Sequence, residues 1–151
     1  MVAEAQAYRE AFHTHWEQVR ATIQNLPAAA LNWRPLEQDT SSAVVIVTHM
    51  CGLASLVVYQ VLTGMDVHRE RAAEFQATAT TTEELLSLVD RTEAHDRSAL
   101  DNATASSLND TVTLPGREPM SRRVYVIQAI RHLGEHLGHL QLTMQLWSAQ
   151  K

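Results

Sequence analysis

Residues 121–147, SRRVYVIQAIRHLGEHLGHLQLTMQLW, contain the pattern that decides the fold. Their apolar residues recur at alternating steps of four and three, the spacing of a helix that packs along its whole length in a bundle. The members of this apolar seam are Val126, Ile130, Leu133, Leu137, Leu140, Met144 and Trp147. Ser121 can cap the first turn with its hydroxyl. The stretch therefore predicts a core-facing helix from Ser121 to about Trp147.

Three further stretches are predicted to be helices, and segments rich in turn-forming residues join them. The first and third show apolar periodicity, whereas the second is apolar nearly all round and is too long for a strand. They run from about Ala3 to Leu26, from Ala43 to Thr63, and from the Thr80–Thr82 cluster to near Ser106. Ser41 and Ser42 are N-cap candidates for the second of these helices, and Gly64 is a natural C-terminal cap. Four long helices with three connections predict an all-α fold, a four-helix bundle that forms a single domain over residues 1–151.

The composition excludes several classes of partner and site. The chain has 12 basic and 17 acidic residues, a net charge of -5, and no basic run, so we expect no nucleic-acid partner. The single cysteine, Cys51, allows no internal disulfide and no cysteine-rich zinc motif. No segment has the pattern of a signal peptide or 18 uninterrupted apolar residues. These features predict a cytoplasmic protein without a membrane partner.

A polar row lies one residue before successive positions of the apolar seam. It consists of Tyr125, His132, His136, His139 and Thr143. Leu142 and Leu146 lie on the far side of this row, so in its C-terminal half both edges of the row are apolar. We therefore expect the histidines to face the interior of the bundle.

Buried histidines are costly unless both ring nitrogens find partners, and a divalent metal would organise such a cluster. His132 and His136 are four residues apart, which places both on one helix face at a distance suited to one ion. His132 and His139 are about 10.5 Å apart along the helix axis, too far to share an ion. Spacing alone leaves open which adjacent pair binds.

A third ligand must come from another helix, and His49 is the candidate. Its neighbours on the same helix face, Val45, Leu53 and Leu56, are all apolar, so a free histidine there would be poorly solvated. The alternative is that each histidine has a structural role, because pairs with this spacing also arise by accident. His13, His68 and His95 are expected on the surface, and Cys51 is expected to be a small buried apolar residue.

The segment from Leu31 to Gly64, with its LNWRP and THMCGLASLVVYQVLTG motifs, is followed by the HxxxHxGH pattern that begins at His132. Together these motifs resemble the DinB/YfiT-like superfamily over most of the chain. The resemblance implies a four-helix bundle that binds a divalent metal, commonly zinc or nickel, through His49, His132 and His136. It also implies that His139 lines the pocket without binding the ion, and that the protein forms a homodimer.

Three protein ligands leave a coordination position free for water or a small-molecule substrate, as in catalytic sites. Relatives implied by the resemblance include metal-dependent hydrolases and transferases that use bacillithiol or mycothiol. Glu135 points roughly 100° away from His136 and is a poor general base, which favours thiol-dependent transfer over hydrolysis. A non-catalytic, stress-associated metal-binding or ligand-binding module is the third hypothesis. We expect His15 and Tyr125 beside the pocket as hydrogen-bonding groups.

Overall fold

Four long helices make up most of the computed structural model, which describes residues 2–150. They are α1 (Ala3–Ile23), α3 (Ala43–Thr63), α5 (Thr82–Asp101) and α7 (Arg122–Ser148). Three short helices lie between them, α2 (Ala28–Leu31), α4 (Arg71–Glu74) and α6 (Ala105–Asn109). Two short strands, β1 (Thr111–Val112) and β2 (Met120–Ser121), pair antiparallel just before α7. The predicted all-α bundle is confirmed.

The long helices enclose one main apolar core. Both α1 and α3 pack against α5 and α7, so α1 and α3 lie across the bundle from each other. The seam of α7 faces this core as predicted: Val126, Leu133, Leu137, Leu140 and Met144 are buried. Burying side chains of this size stabilises a fold by roughly 1.5–3 kcal/mol each. The seam therefore fixes which face of α7 is turned inward.

Hydroxyl caps begin three of the long helices. Ser42, Thr81 and Ser121 accept hydrogen bonds from backbone amides in the first turns of α3, α5 and α7 respectively. Gly64 ends α3 in the left-handed conformation, with φ of 79°. These starts and this end agree with the predicted ones.

The helix predicted to end near Ser106 ends earlier, at Asp101. Thr104 has an extended backbone and caps a separate short helix, α6, through a reciprocal pair of hydrogen bonds with Ser107. Such a capping box satisfies backbone amides that would otherwise lack partners, which favours a new helix start over continuation of the old one. The apolar periodicity does not distinguish one helix from two.

The helix α3 contains a π-helical segment over Ser55–Gln60 that hydrophobic periodicity did not predict. It lies in the half of α3 that follows His49, and such segments often occur near functional sites. This helix is also long and apolar enough to cross a membrane, but 67% of its most apolar window is buried inside the bundle. Its apolar surface is therefore used in core packing.

Candidate metal centre

Three histidines from two helices meet where α3 packs against α7. One ring nitrogen from each of His49, His132 and His136 lies within 4.8 Å of those of the other two. The Nε2 atoms of His49 and His132 are 3.2 Å apart. Two nitrogens bound to one tetrahedral zinc ion would be about 3.3 Å apart, given metal–nitrogen distances of about 2.0–2.1 Å. The structure thus brings the three predicted ligands together in a spacing that fits a metal ion.

The surroundings favour the neutral form of the two histidines on α7. His49 is 7% exposed, and His132 and His136 are half-buried. Burial, together with the other histidines of the cluster, lowers the pKa of both His132 and His136 to about 4. Both rings are therefore neutral at pH 7, and a neutral imidazole is the form that binds a metal.

A buried carboxylate holds the other side of His49. The Nδ1 atom of His49 donates to Oε2 of Glu74 at 2.8 Å, and Arg69 donates to both carboxylate oxygens of Glu74 at 2.6 and 2.8 Å. Burial opposes the charged carboxylate, but the hydrogen bonds from His49 and Arg69 outweigh it and lower the pKa of Glu74. A charged Glu74 keeps the proton of His49 on Nδ1, so Nε2 retains the lone pair that faces His132.

Gly52 makes room for this carboxylate on α3. A Cβ atom at Gly52 would lie 2.1 Å from Oε1 of Glu74 and 2.8 Å from its Cδ atom, closer than packed atoms approach. No sequence pattern indicated Glu74 or Arg69 as part of the site. Glu74 lies 25 residues from His49 on a four-residue helix, and no local pattern marks a residue that acts over such a separation. A Gly three residues after His49 is only a weak sequence signal for this contact, because the fold is needed to show that Glu74 fills the space beside it.

A cavity of about 720 Å³ opens beside His49, His136 and His139. Its other walls are mostly apolar and come from α3, α7, Phe75 and the connection over residues 33–41. They include Trp33, Leu36, Val45, Ile46, Phe75, Leu142 and Leu146. His139 is exposed, and its Nδ1 atom lies 3.4 Å from Nδ1 of His136. The cavity thus gives a small molecule access to two histidines of the cluster.

The histidine row is less enclosed than its apolar flanks suggested. Leu142 is 54% exposed and Leu146 is 43% exposed, because both side chains form the wall of the open cavity instead of packing in the core. An apolar flank predicts the core only where another helix covers it. Here the cavity takes the place of a covering helix.

The structure does not bring His15 and Tyr125 to the cavity, and this corrects both expectations. His15 donates from Nδ1 to the carbonyl of Ala11 at 2.7 Å, and its Nε2 atom would lie 3.1 Å from a Cβ atom at Gly134. Gly134 lies roughly 200° around α7 from His132, so His15 contacts the opposite side of the helix. Tyr125 is fully buried, and it lies seven residues, or about 10.5 Å, before His132 along the helix axis.

The remaining candidates lie where the sequence predicted. Cys51 is buried, and burial raises the pKa of its thiol to about 12, so it is not a ready nucleophile. Glu135 is exposed and forms an ion pair with Arg131. His13, His68 and His95 are exposed. None of these residues contributes a nitrogen, sulfur or oxygen atom to the three-histidine cluster.

Several solved structures have the same fold. A conserved protein from Enterococcus faecalis is 18% identical, with a TM-score of 0.76 and coverage of 97% of both chains. A DinB-like protein from Bacillus subtilis is 19% identical, with a TM-score of 0.72 and coverage of 92% of this chain and 90% of that one. The mycothiol-dependent maleylpyruvate isomerase is 12% identical, with a TM-score of 0.70 and coverage of 93% of this chain and 63% of that one.

At these identities the structural likeness establishes the architecture and leaves the activity open. No curated protein sequence matches the chain. The sequence model of the DinB superfamily, however, matches residues 11–140, which includes all three histidines of the cluster. The chain therefore belongs to the DinB superfamily.

Proposed function

We propose that this protein is a metal-dependent S-transferase that joins a low-molecular-weight thiol to a small-molecule acceptor. The observation that carries the proposal is the open cavity beside a three-histidine cluster whose nitrogens converge. His49, His132 and His136 would hold a divalent ion, zinc or nickel. When bound, such an ion favours the thiolate form of a thiol and leaves a coordination position free.

The carboxylates next to the histidines favour transfer over hydrolysis, and Asp39, which lines the cavity, contributes no oxygen to the histidine cluster. A metal-dependent hydrolase needs a general base within hydrogen-bonding distance of the attacking water. Glu74 contacts the cluster, but its carboxylate oxygens already accept hydrogen bonds from His49 and Arg69. Glu135 is paired with Arg131 on the exposed side of α7. A thiolate attacks without such a base, because it is already a strong nucleophile at neutral pH.

The reaction that this site would support has a simple balance of atoms. The thiol sulfur forms a bond to an electrophilic carbon of the acceptor, and the leaving group departs with the electron pair of the bond that breaks. The thiol proton goes to solvent. Glu74 orients His49 throughout, and the apolar walls of the cavity would contact the acceptor.

One relative in structure supports the thiol as cosubstrate. The isomerase with the same fold is named as mycothiol-dependent, so this bundle can serve thiol chemistry. The 12% identity is too low to transfer the substrate, and the acceptor of this protein is a separate question.

The proposal is tested on the purified full-length protein by elemental analysis and by transfer assays. Bacillithiol, mycothiol and glutathione are each supplied with 1-chloro-2,4-dinitrobenzene as acceptor, and thioether formation is followed by absorbance. We expect bound zinc or nickel at about one ion per chain and transfer with at least one of the thiols. Addition of a chelator should abolish transfer, and restoration of the metal should recover it.

His49→Ala and His95→Ala form a matched pair of variants. His49 belongs to the cluster, whereas His95 is exposed and stacks on Tyr59 away from it. We expect His49→Ala to lose both metal and transfer, and His95→Ala to keep both. Unchanged metal content in His49→Ala would refute the site. Metal-dependent hydrolysis of an activated ester without any thiol would show that the protein is a hydrolase and would refute the proposed transferase activity.

A further inference from the structure

We infer that the cavity beside the histidine cluster selects an uncharged, apolar acceptor, an alkyl or aromatic compound that carries no carboxylate. The inference rests on the proposed function and names the class of substrate that the same site would take. It follows from the charges, the exposed side chains and the aromatic rings at the cavity.

The cavity offers no cation from a lysine or arginine side chain. Among the residues that the structure describes, its lining contains neither residue type, and its single carboxylate is Asp39. A carboxylate or phosphate on the ligand would therefore lose its hydration without gaining a side-chain counter-charge. The lining thus disfavours anionic acceptors.

Two arginines near Phe75 in sequence are already bound elsewhere. Arg69 forms the buried ion pair with Glu74 on the far side of His49. Arg71 lies over the ring of Phe75, with its guanidinium carbon 4.9 Å from the ring centroid. Neither side chain lines the cavity, so neither supplies the missing positive charge.

Large apolar side chains are exposed at this cavity. Leu36, Leu142 and Leu146 line it, and they are 65%, 54% and 43% exposed. These are half of the six large apolar residues that the structure leaves exposed. Exposed apolar side chains gathered around one concave surface indicate a ligand site, because burying them against an apolar molecule is favourable.

Aromatic rings give the cavity flat walls. Trp33 lines it and packs against Trp147 with ring centroids 5.6 Å apart. Phe75 lies against His49, with ring centroids 5.3 Å apart. The volume of about 720 Å³ lies within the usual range for small-molecule sites, roughly 300–1,000 Å³. An alkyl chain or an aromatic ring fits this combination of shape and polarity.

The test compares decan-1-ol with decanoate, which share a ten-carbon chain and differ in charge. Binding to the full-length protein is measured by isothermal titration calorimetry, both as purified and after chelation, because a carboxylate could reach a bound metal directly. We expect decan-1-ol to bind the chelated protein at least tenfold more tightly than decanoate. Equal or tighter binding of decanoate to the chelated protein would overturn the inference, as would no binding of decan-1-ol.

Leu146→Arg and Ile127→Arg provide matched variants on one helix. Both residues are exposed, at 43% and 50%, but only Leu146 lines the cavity. We expect Leu146→Arg to weaken decan-1-ol binding and strengthen decanoate binding, while Ile127→Arg changes neither. If Leu146→Arg changes only the oligomeric state in analytical ultracentrifugation, the exposed leucines form an interface between two copies and the inference is wrong.

The outcome is separable from that of the proposed function. Decan-1-ol contains no leaving group and is measured without thiol, so its binding reports the cavity alone. Binding of decan-1-ol by a protein that transfers no thiol would refute the transferase and leave the apolar cavity established. Thiol transfer to an anionic acceptor in preference to a neutral one would leave the transferase intact and overturn the inference.

Discussion

Glu74 fixes which nitrogen of His49 is free to bind. Its charged carboxylate accepts a hydrogen bond from the Nδ1–H group of His49 at 2.8 Å, and Arg69 donates to both carboxylate oxygens. Metal-binding histidines commonly have such a partner, and loss of the partner typically lowers the metal affinity by about 10–100-fold. Glu74 therefore acts on the cluster through His49 and is a positioning residue.

We expect Glu74→Gln to weaken zinc binding by about 10–100-fold, because the amide cannot hold the Nδ1 proton as a charged carboxylate does. The affinity is measured by competition with a chromophoric chelator. Glu135→Gln is the matched control, since Glu135 is next to His136 in sequence but is exposed and paired with Arg131. Equal effects of the two substitutions would show that Glu74 has no special role.

Gly52→Ala tests the same contact from the other helix. The new Cβ atom would lie 2.1 Å from Oε1 of Glu74, so the carboxylate must move away from His49 and metal affinity should fall. Gly138→Ala is the control, because a Cβ atom there meets nothing within 4 Å. We expect Gly138→Ala to keep its metal and to gain up to about 1 kcal/mol in unfolding free energy, measured with urea. Tight metal binding by Gly52→Ala would contradict this account.

At the scale of the element, α3 depends on a single hydroxyl for its start. Ser42 is buried, and its Oγ atom accepts from the backbone amide of Val45 at 3.3 Å. The cap lies two helical turns before His49, so it sets the start of the helix that carries this ligand. The N-cap and the core packing of α3 therefore both position His49 in the cluster.

We expect Ser42→Ala to lower the free energy of unfolding by about 1 kcal/mol, within the range of about 0.5–2 kcal/mol for lost N-caps. For a chain of this length, 1 kcal/mol corresponds to a fall in Tm of roughly 2–4 °C, which calorimetry resolves. Ser41→Ala serves as the comparison, because Val45 donates to Ser42 and not to Ser41. A larger loss in Ser41→Ala would reverse the assignment of the cap.

At the scale of the whole molecule, the cluster makes the stability of the metal-free protein depend on pH. Folding lowers the pKa of His132 and His136 from 6.5 to about 4, chiefly through burial. Between these two values the unfolded chain binds more protons than the folded one. The stabilising contribution is therefore fully present above about pH 6.5 and is lost as the pH falls towards 4.

We expect urea unfolding of the chelated protein to show a loss of stability between about pH 6.5 and 4. Replacement of His132 and His136 together by Asn should flatten this part of the profile, because the groups that take up protons are gone. His68→Asn should leave the profile unchanged, since the His68 side chain is 86% exposed. A flat profile in the parent protein would show that the two rings are not buried as described.

The helices and the face that carries the histidines followed from local patterns. A seam repeated every three or four residues places its side chains on one helix face wherever the neighbours lie, so Leu133 and Leu140 could be assigned to the core from sequence. The same rule put His132 and His136 on one face. The apolar neighbours of His49 indicated that it, too, faced inward.

Other features depended on how one helix is rotated against another, which local periodicity does not contain. His15 was expected at the cavity and instead contacts Gly134 on the opposite side of α7. The π-helical segment of α3 and the short helix that carries Glu74 also left no periodic signal. Each is decided by packing between segments that are far apart in the chain.

The sequence by itself thus determined the all-α class, the main helices and the histidine row on α7 with His49 as its candidate partner. The resemblance to a known family then selected His132 and His136 from that row. Only the tertiary structure decided that Glu74 and Arg69 lie behind His49, and that an apolar cavity opens beside the C-terminal half of the polar row on α7. The physical reason is the separation along the chain over which each interaction acts. Helix periodicity and capping act over a few residues, whereas the ion pair and the cavity require separate segments to meet in one arrangement.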